Sequence, residues 1–283
     1  MGASRSTPSR KGSGSTTALS RLQTQLQAVD LLFEVRDARL PVSSVHPKTA
    51  ELFGNKQKII VFAKQDLADP DALKQWIDKL SSGGGQQALA LSFKLQKGQD
   101  KLVAASLKLT EEKRRAQERK GLLPRPMRAC VVGLPNVGKS TLINWLTGRH
   151  KAQTGDRPGI TRGTQWVRVH PQLELLDTPG ILPPVQFSGE IALKLALCNI
   201  LPQDHFDHME VAEYGLARVS KQAPEALEVY GNELVENGAT LENLARARSC
   251  LAAGGKLDMR KAASIFINDF RAGKLGRYVL DTI

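Results

Sequence analysis

The chain has 283 residues, with 40 Lys and Arg against 28 Asp and Glu, and a formal net charge of +12. Its 41% hydrophobic and 24% charged shares exclude a disordered chain, while the basic excess argues against a strongly acidic binding surface and favours a polyanionic partner. Cys130, Cys198 and Cys250 share no C-x-x-C spacing, which excludes a disulfide framework or zinc ribbon, and no apolar run reaches the ~20 residues of a membrane span.

Residues 1–18 are rich in Ser, Thr and Gly and free of acid; they are expected to form a disordered basic arm. Leu19, Leu22, Leu26, Val29 and Phe33 then recur at helical spacing over residues 19–33 and run into the apolar stretch Val29 to Val35. The run Lys58 to Ala63, reading KIIVFA, is short, apolar and bounded by polar residues, as a buried parallel strand would be. Residues 69–80 predict a helix with Asp69 as N-cap and Pro70 in the first turn. A loop at Gly83 to Gly85 leads to a strand over 88–92. Residues 99–119 predict one long polar helix, closed by the breaker stretch Gly121 to Pro126.

A strand over 128–132 leads through a glycine-rich turn into a helix over 139–146, and residues 165–170 with 173–176 predict a hairpin. Beyond Pro183 and Pro184, residues 188–280 keep helical periodicity with almost no strand signal. The expected architecture is therefore an α/β sheet domain over 19–184 followed by an all-helical domain over 185–283. The positive charge is segmental. Residues 1–29, 101–128 and 245–277 carry +4, +6 and +6, which leaves the remainder at −4, a distribution that suits a binding footprint.

Gly133-Leu134-Pro135-Asn136-Val137-Gly138-Lys139-Ser140 matches the phosphate-binding loop G-x-x-x-x-G-K-[ST], set between a predicted strand and a predicted helix as that loop requires. Its glycines let backbone N–H groups wrap phosphates, and the helix N-terminus adds a favourable dipole. Lys139 would reach the β- and γ-phosphates and Ser140 would ligate Mg²⁺, with Gly133, Asn136, Val137, Gly138 and Thr141 completing the cradle. Downstream, Asp177-Thr178-Pro179-Gly180 ends a strand, so Asp177 can hold Mg²⁺ through water and the Gly180 N–H can meet the γ-phosphate. Between them, in Gly155 to Thr161, Thr161 stands where a switch threonine would close on both.

Base choice falls to an upstream segment, Ala63-Lys64-Gln65-Asp66, directly after KIIVFA. Asp66 can accept two hydrogen bonds from guanine, at N1–H and the exocyclic amine, a pattern adenine does not offer. The stem of Lys64 can cover the base plane, and Ser92-Phe93-Lys94 can place backbone N–H groups on the guanine O6. Asp204-His205-Phe206-Asp207-His208 has metal-ligand residue types but no third cluster, and reads as solvated polar residues.

The order of these motifs is a rotation of the usual GTPase order: guanine segment, Ser-x-Lys loop, phosphate loop, switch threonine, Asp-Thr-Pro-Gly. With Val35 to Pro41, reading VRDARLP, and Arg277 within Gly273 to Arg277, it resembles the circularly permuted ribosome-assembly GTPases of the YlqF/RbgA family. The resemblance covers roughly residues 20–280. It implies a cytoplasmic, monomeric GTPase using GTP/GDP and Mg²⁺, whose partners are the large ribosomal subunit precursor and its rRNA, with no membrane contact. An organellar stroma or matrix is the setting if the N-terminal arm is a transit peptide. In similar GTPases an asparagine at the position of Asn136 helps hold K⁺ between the phosphates, which marks Lys139, Thr161 and Asn136 as the catalytic set.

Three departures accompany the resemblance. Ala63 stands where relatives carry the Asn of N-K-x-D, so the amide that touches guanine N7 is missing; Phe93 replaces a small residue; and a Trp-Phe-Pro-Gly-His-Met-like opening is absent. After Gly180 stand Ile181 and Leu182, which cannot orient water as the Gln of Ras-like enzymes does, so intrinsic hydrolysis is expected to be slow. Ala63 and Phe93 also motivate an alternative, a nucleotide-gated RNA-binding module with degenerate GTPase activity.

Overall fold

The structure, a computed structural model, describes residues 27–54, 56–82, 86–93, 98–123, 125–148, 165–177, 182, 184–202 and 206–283. Six strands form one sheet: β1 (Leu31–Asp37), β2 (Gln57–Ala63), β3 (Gln86–Ala90), β4 (Met127–Val132), β5 (Gln165–His170) and β6 (Leu173–Asp177), in the order β3-β2-β1-β4-β6-β5. Every pairing is parallel except that of β5, which runs antiparallel to β6 as the expected hairpin. The helices are α1 (Thr49–Phe53), α2 (Pro70–Ser81), α3 (Gln99–Leu109), α4 (Glu111–Arg119), α5 (Lys139–Thr147), α6 (Gly189–Leu197), α7 (His208–Gln222), α8 (Glu233–Glu236), α9 (Leu241–Ala247) and α10 (Met259–Arg271).

Strand β1 is buried throughout because elements cover both sheet faces. Leu31, Phe33 and Val35 join the main core with Ile59, Val61, Ala129 and Val131, while Leu32 packs with Val29, Cys130 and Val132. The strand also buries Glu34, which is paired with Arg36 at 3.0 Å and Lys58 at 3.3 Å. The helical reading of 19–33 fails at its end: Phe33 is a strand residue and Val29 precedes the strand outside any helix. A strand buried on both faces is an unbroken apolar run, and any i, i+4 spacing inside such a run imitates a helix. Residues 19–26 of that prediction, and the Gly83 to Gly85 loop, lie outside the described residues.

Helix α2 starts as its sequence dictates, the Asp69 carboxylate accepting the Ala72 N–H at 2.8 Å with Pro70 in the first turn. The long helix expected over 99–119 is instead two, α3 and α4, broken at Thr110. The buried Thr110 hydroxyl donates back to the Ser106 carbonyl at 2.7 Å, and its backbone sits at φ −102°, ψ 5°. Such back-bonding by threonine bends a helix away from its axis. Strand β3 lies two residues earlier than the expected 88–92, which leaves Ser92 just beyond its end.

The C-terminal region is helical, with α7 packed against α10. One hydrophobic core runs without interruption from Leu31, Phe33 and Val35 through Leu195 to Ile200 and on to Phe266 and Phe270. The chain then returns to the sheet. The Tyr278 N–H donates to the Leu67 carbonyl at 3.1 Å and the Leu280 N–H to that of Arg39 at 2.8 Å. The Asp281 carboxylate accepts the N–H groups of Val42 and Ser43, both at 2.8 Å, and Val279 packs with Ala38, Ile60, Phe62 and Trp76. The last residues are thus part of the sheet's own packing.

Candidate functional site

In an open parallel sheet, ligand loops lie at the carboxyl ends of the strands. The strand order here lines up, side by side, the segment after β3 with Ser92 and Phe93, the segment after β2 with Ala63 to Asp66, Asp37 at the end of β1, Gly133 to Ser140 after β4, and Asp177 at the end of β6. Segments far apart in sequence therefore share one edge. Thr161, Lys94, Gly180 and the rest of Thr178 to Gly180 lie outside the described residues, and of Asp177 only the backbone position in β6 is described.

The phosphate loop is tight against the sheet. A Cβ on Gly133 would collide with the Val35 carbonyl oxygen, and one on Gly138 would lie 3.1 Å from the Cβ of Ala63. Both glycines have positive φ, at 146° and 116°, so side chains are excluded there twice over, by strain and by contact. Asn136, exposed at the loop's turn, also has a left-handed φ of 55°. Val137 is buried and anchors the loop in the main core. Gly138 caps helix α5, whose first turn presents Lys139, Ser140 and Thr141, the latter two exposed.

The Lys139 ammonium donates to the Leu134 carbonyl at 2.7 Å, and burial lowers its pKa. A desolvated ammonium beside a tight glycine loop is a cradle for anionic oxygen, and α5 directs its N-terminus at the same place. The residues present therefore fit a phosphate chain, with Ser140 placed to take a Mg²⁺ that it carries.

The guanine segment has its own support. Ala63 and Phe93 both approach Gly138, the Phe93 ring within 3.7 Å of a Cβ built there, and Phe93 packs on Trp145 with ring centroids 5.5 Å apart. An apolar contact thus fills the space between guanine segment and phosphate loop. Lys64 has a left-handed φ of 58°, and its ammonium binds the Asp37 carboxylate at 2.9 Å. Gln65 and Asp66 form a short 3₁₀ turn with Leu67, in which Asp66 is exposed and open to a ligand. Ser92 is buried.

Asp37 is the hub. It is fully buried, and it holds Lys64 together with Arg39, the latter in a two-point contact at 2.9 and 2.8 Å. Burial works against its charge, yet Arg39 and then Lys64 more than offset that, holding its pKa down at about 2. Arg39 also donates to the Cys198 carbonyl at 3.0 Å, just past α6. Burial tends to lower the pKa of Arg39, but Asp37, with a further contribution from Asp66, raises it. Arg271 of α10 reaches the neighbouring Leu197 and Ala196 carbonyls at 3.1 and 2.7 Å. The guanine segment is thereby tied to the helical region through two buried side chains. In the sequence Asp37 and Arg39 stand out only as part of VRDARLP. The signal present was two opposite charges at the end of an apolar strand.

Other candidates carry no chemistry. Burial pushes the Cys130 and Cys198 thiols up to about 12. Asp207 caps α7 through the Met209 N–H at 2.7 Å, Asp204 and His205 lie outside the described residues, and no group of three His, Cys, Asp or Glu is set to hold a metal among those described.

Comparison with known proteins decides the family. Residues 128–229 match the model of the 50S ribosome-binding GTPases. Ribosome biogenesis GTPase A of Bacillus cereus is 38% identical over 261 residues, covering 91% of this chain and 88% of the relative. This chain belongs to the ribosome biogenesis GTPase A family. The family's protein from Priestia megaterium is 39% identical over 261 residues, with 91% and 90% coverage. The GDP-bound structure of YlqF superposes with a TM-score of 0.65 at 28% identity, covering 92% of this chain and 98% of that one. As a member of the ribosome biogenesis GTPase A family the chain binds guanine nucleotide and hydrolyses GTP, on a circularly permuted sheet with a helical C-terminal region.

Proposed function

We propose that this GTPase assists maturation of the large ribosomal subunit, binding its precursor and rRNA through the helical region at residues 185–283, as a monomer, with affinity set by the bound nucleotide. The observation that carries the reading is the buried bridge from Lys64 through Asp37 and Arg39 to the Cys198 carbonyl, which joins nucleotide loop and helical region at 2.8 to 3.0 Å. The chain after β6 runs from Asp177 into α6, so both flanks of the nucleotide site lead to the same helices. The names of its relatives support a ribosomal partner.

In this reading Asp66 selects guanine, Lys64 and Gln65 frame the base, and the segment at Ser92 and Phe93 closes over its O6. Backbone amides from Gly133 to Thr141 wrap the phosphates, and Lys139 neutralises charge on the γ-phosphate as it leaves. Ser140, Thr161 and Asp177 would hold Mg²⁺, which would offset the negative charge of the phosphates. The Gly180 N–H meets the γ-phosphate, and Asn136 would hold a K⁺ that supplies positive charge to the phosphates. Hydrolysis is slow alone and rises when the subunit completes the site.

Sedimentation of the chain with large-subunit precursors tests this. A non-hydrolysable GTP analogue should give the greater co-pelleting and GDP the lesser; equal occupancy would overturn the gating. Turnover in matched KCl and NaCl checks Asn136, for which equal rates would remove K⁺ from the reading.

A further inference from the structure

Helix α4 buries none of its residues and has no apolar face, reading EEKRRAQER. Such a helix contributes little to the core, and a partner is one reason for a fold to hold it in place. It is held here by charge. Asp30, whose side chain is only 2% exposed, accepts from Arg125 at 2.7 and 3.0 Å on one side and pairs with Lys113 of α4 at 2.7 Å on the other. Arg125 and Lys113 outweigh the burial that opposes the charge of Asp30, so its pKa is lowered.

Between α4 and the β5–β6 hairpin lies a cleft of about 310 Å³, lined by Arg114, Gln117, Glu118, Arg125, Arg168 and Gln172 among others. Three guanidinium groups reach it from three separate elements against one carboxylate. Two are braced from behind, Arg125 by Asp30 and Arg168 by Glu174 at 2.9 Å. Arg114 has no acidic partner among the described residues. Beside the cleft Arg128 lies 4.8 Å over the Trp166 ring. Guanidinium groups fixed in place, with N–H donors left over, match the geometry of phosphate oxygens.

We propose that this cleft is an RNA-backbone site on the sheet side of the molecule, taking a phosphodiester between Arg114, Arg125 and Arg168. It rests on the ribosomal reading above and extends it, because the helical region then supplies only part of the grip. RNA is favoured over free phosphate by the neighbouring planar Trp166–Arg128 pair, which suits a stacked base.

The test measures binding of the GDP-bound full chain to a large-subunit rRNA transcript across a salt series. Arg114→Glu should weaken binding about tenfold, and the neutral Arg114→Met should lower the magnitude of the salt slope by about 1. Arg115→Glu, on the same helix but paired with Glu111 outside the cleft, should change affinity less than twofold. Unchanged melting temperature and GDP binding show that each variant is folded, and Arg114→Met stands in if the charge reversal fails to fold. Equal losses at positions 114 and 115 would overturn the site in favour of a diffuse charge effect. Inorganic phosphate binding that is lost in Arg114→Met while RNA binding stays intact would overturn the RNA assignment. If Arg114→Met is silent but Arg246→Glu with Arg260→Glu abolishes binding, the cleft fails and the ribosomal reading survives. A wild-type chain with no affinity for the transcript overturns both.

Discussion

The two flanks of the nucleotide site are built on different principles. On the guanine side, buried Asp37 and Arg39 and half-buried Lys64 form an ion network whose members are held by strand β1, the 3₁₀ turn and the helical region together. On the phosphate side, Lys139 donates to a single carbonyl among the described residues, that of Leu134, and the exposed Ser140 and Thr141 wait at a helix end. One flank is part of the fold and the other is spare capacity for a ligand. A buried charge bound by buried charge must be satisfied for the chain to fold at all, whereas a lysine turned onto a loop carbonyl can be released to phosphate at small cost.

Removing Asp37 tests that contrast most severely. Asp37→Ala strands Arg39 as an unpaired buried cation and should destabilise the chain by about 3–5 kcal/mol, a loss on the order of 10 °C in thermal unfolding. GDP binding should fall with it, because Lys64 loses its anchor. Lys139→Ala is the mirror experiment. It should cut nucleotide affinity at least ~10-fold, the loss of a charged hydrogen bond to phosphate, while the melting temperature of the nucleotide-free protein moves by no more than about 2 °C. If both variants unfold alike, the two flanks are not different in kind.

Acid provides a gentler probe of the same network. The folded-state pKa of Asp37 is depressed to about 2 from 3.8, so its contribution to stability is present above pH 4 and lost as pH falls from about 4 to 2. Denaturant midpoints over that range should show a decline that is shallower in Asp37→Asn. The smallest effect expected is at the junction of the flanks. Ala63→Asn crowds Gly138 and Phe93→Ala opens space beside it, so GDP affinities of the two single variants and the double should be non-additive by about 0.5–3 kcal/mol. Additive values would mean that Phe93 does not occupy the room left by Ala63.

How much was legible beforehand follows from how local each feature is. The phosphate loop, the Asp69 cap, the β5–β6 hairpin and the strand at KIIVFA are decided by residues within a few positions of one another, and each stands where its residues imply. The mistaken end of the helical reading over 19–33, at Leu31 to Phe33, and the unforeseen break at Thr110 had local patterns with two solutions. Burial on both faces turned one into a strand, and a single hydroxyl bent the other.

By itself the sequence determined which loops exist and in what order, because glycine, lysine and aspartate at set spacings act through backbone geometry and short reach. Tertiary structure decided which residues share a neighbourhood. Arg39 meets Cys198 across 159 positions, Asp281 meets Ser43 across 238, and Arg125 meets Asp30 across 95. A buried charge satisfied at that distance leaves no periodic trace in the chain, since it needs only one partner, charged or backbone, and any element can bring it. The +12 of the whole chain has the same limit: it favoured a polyanion, and only the placement of α4 opposite the hairpin gave part of that charge a shaped cleft.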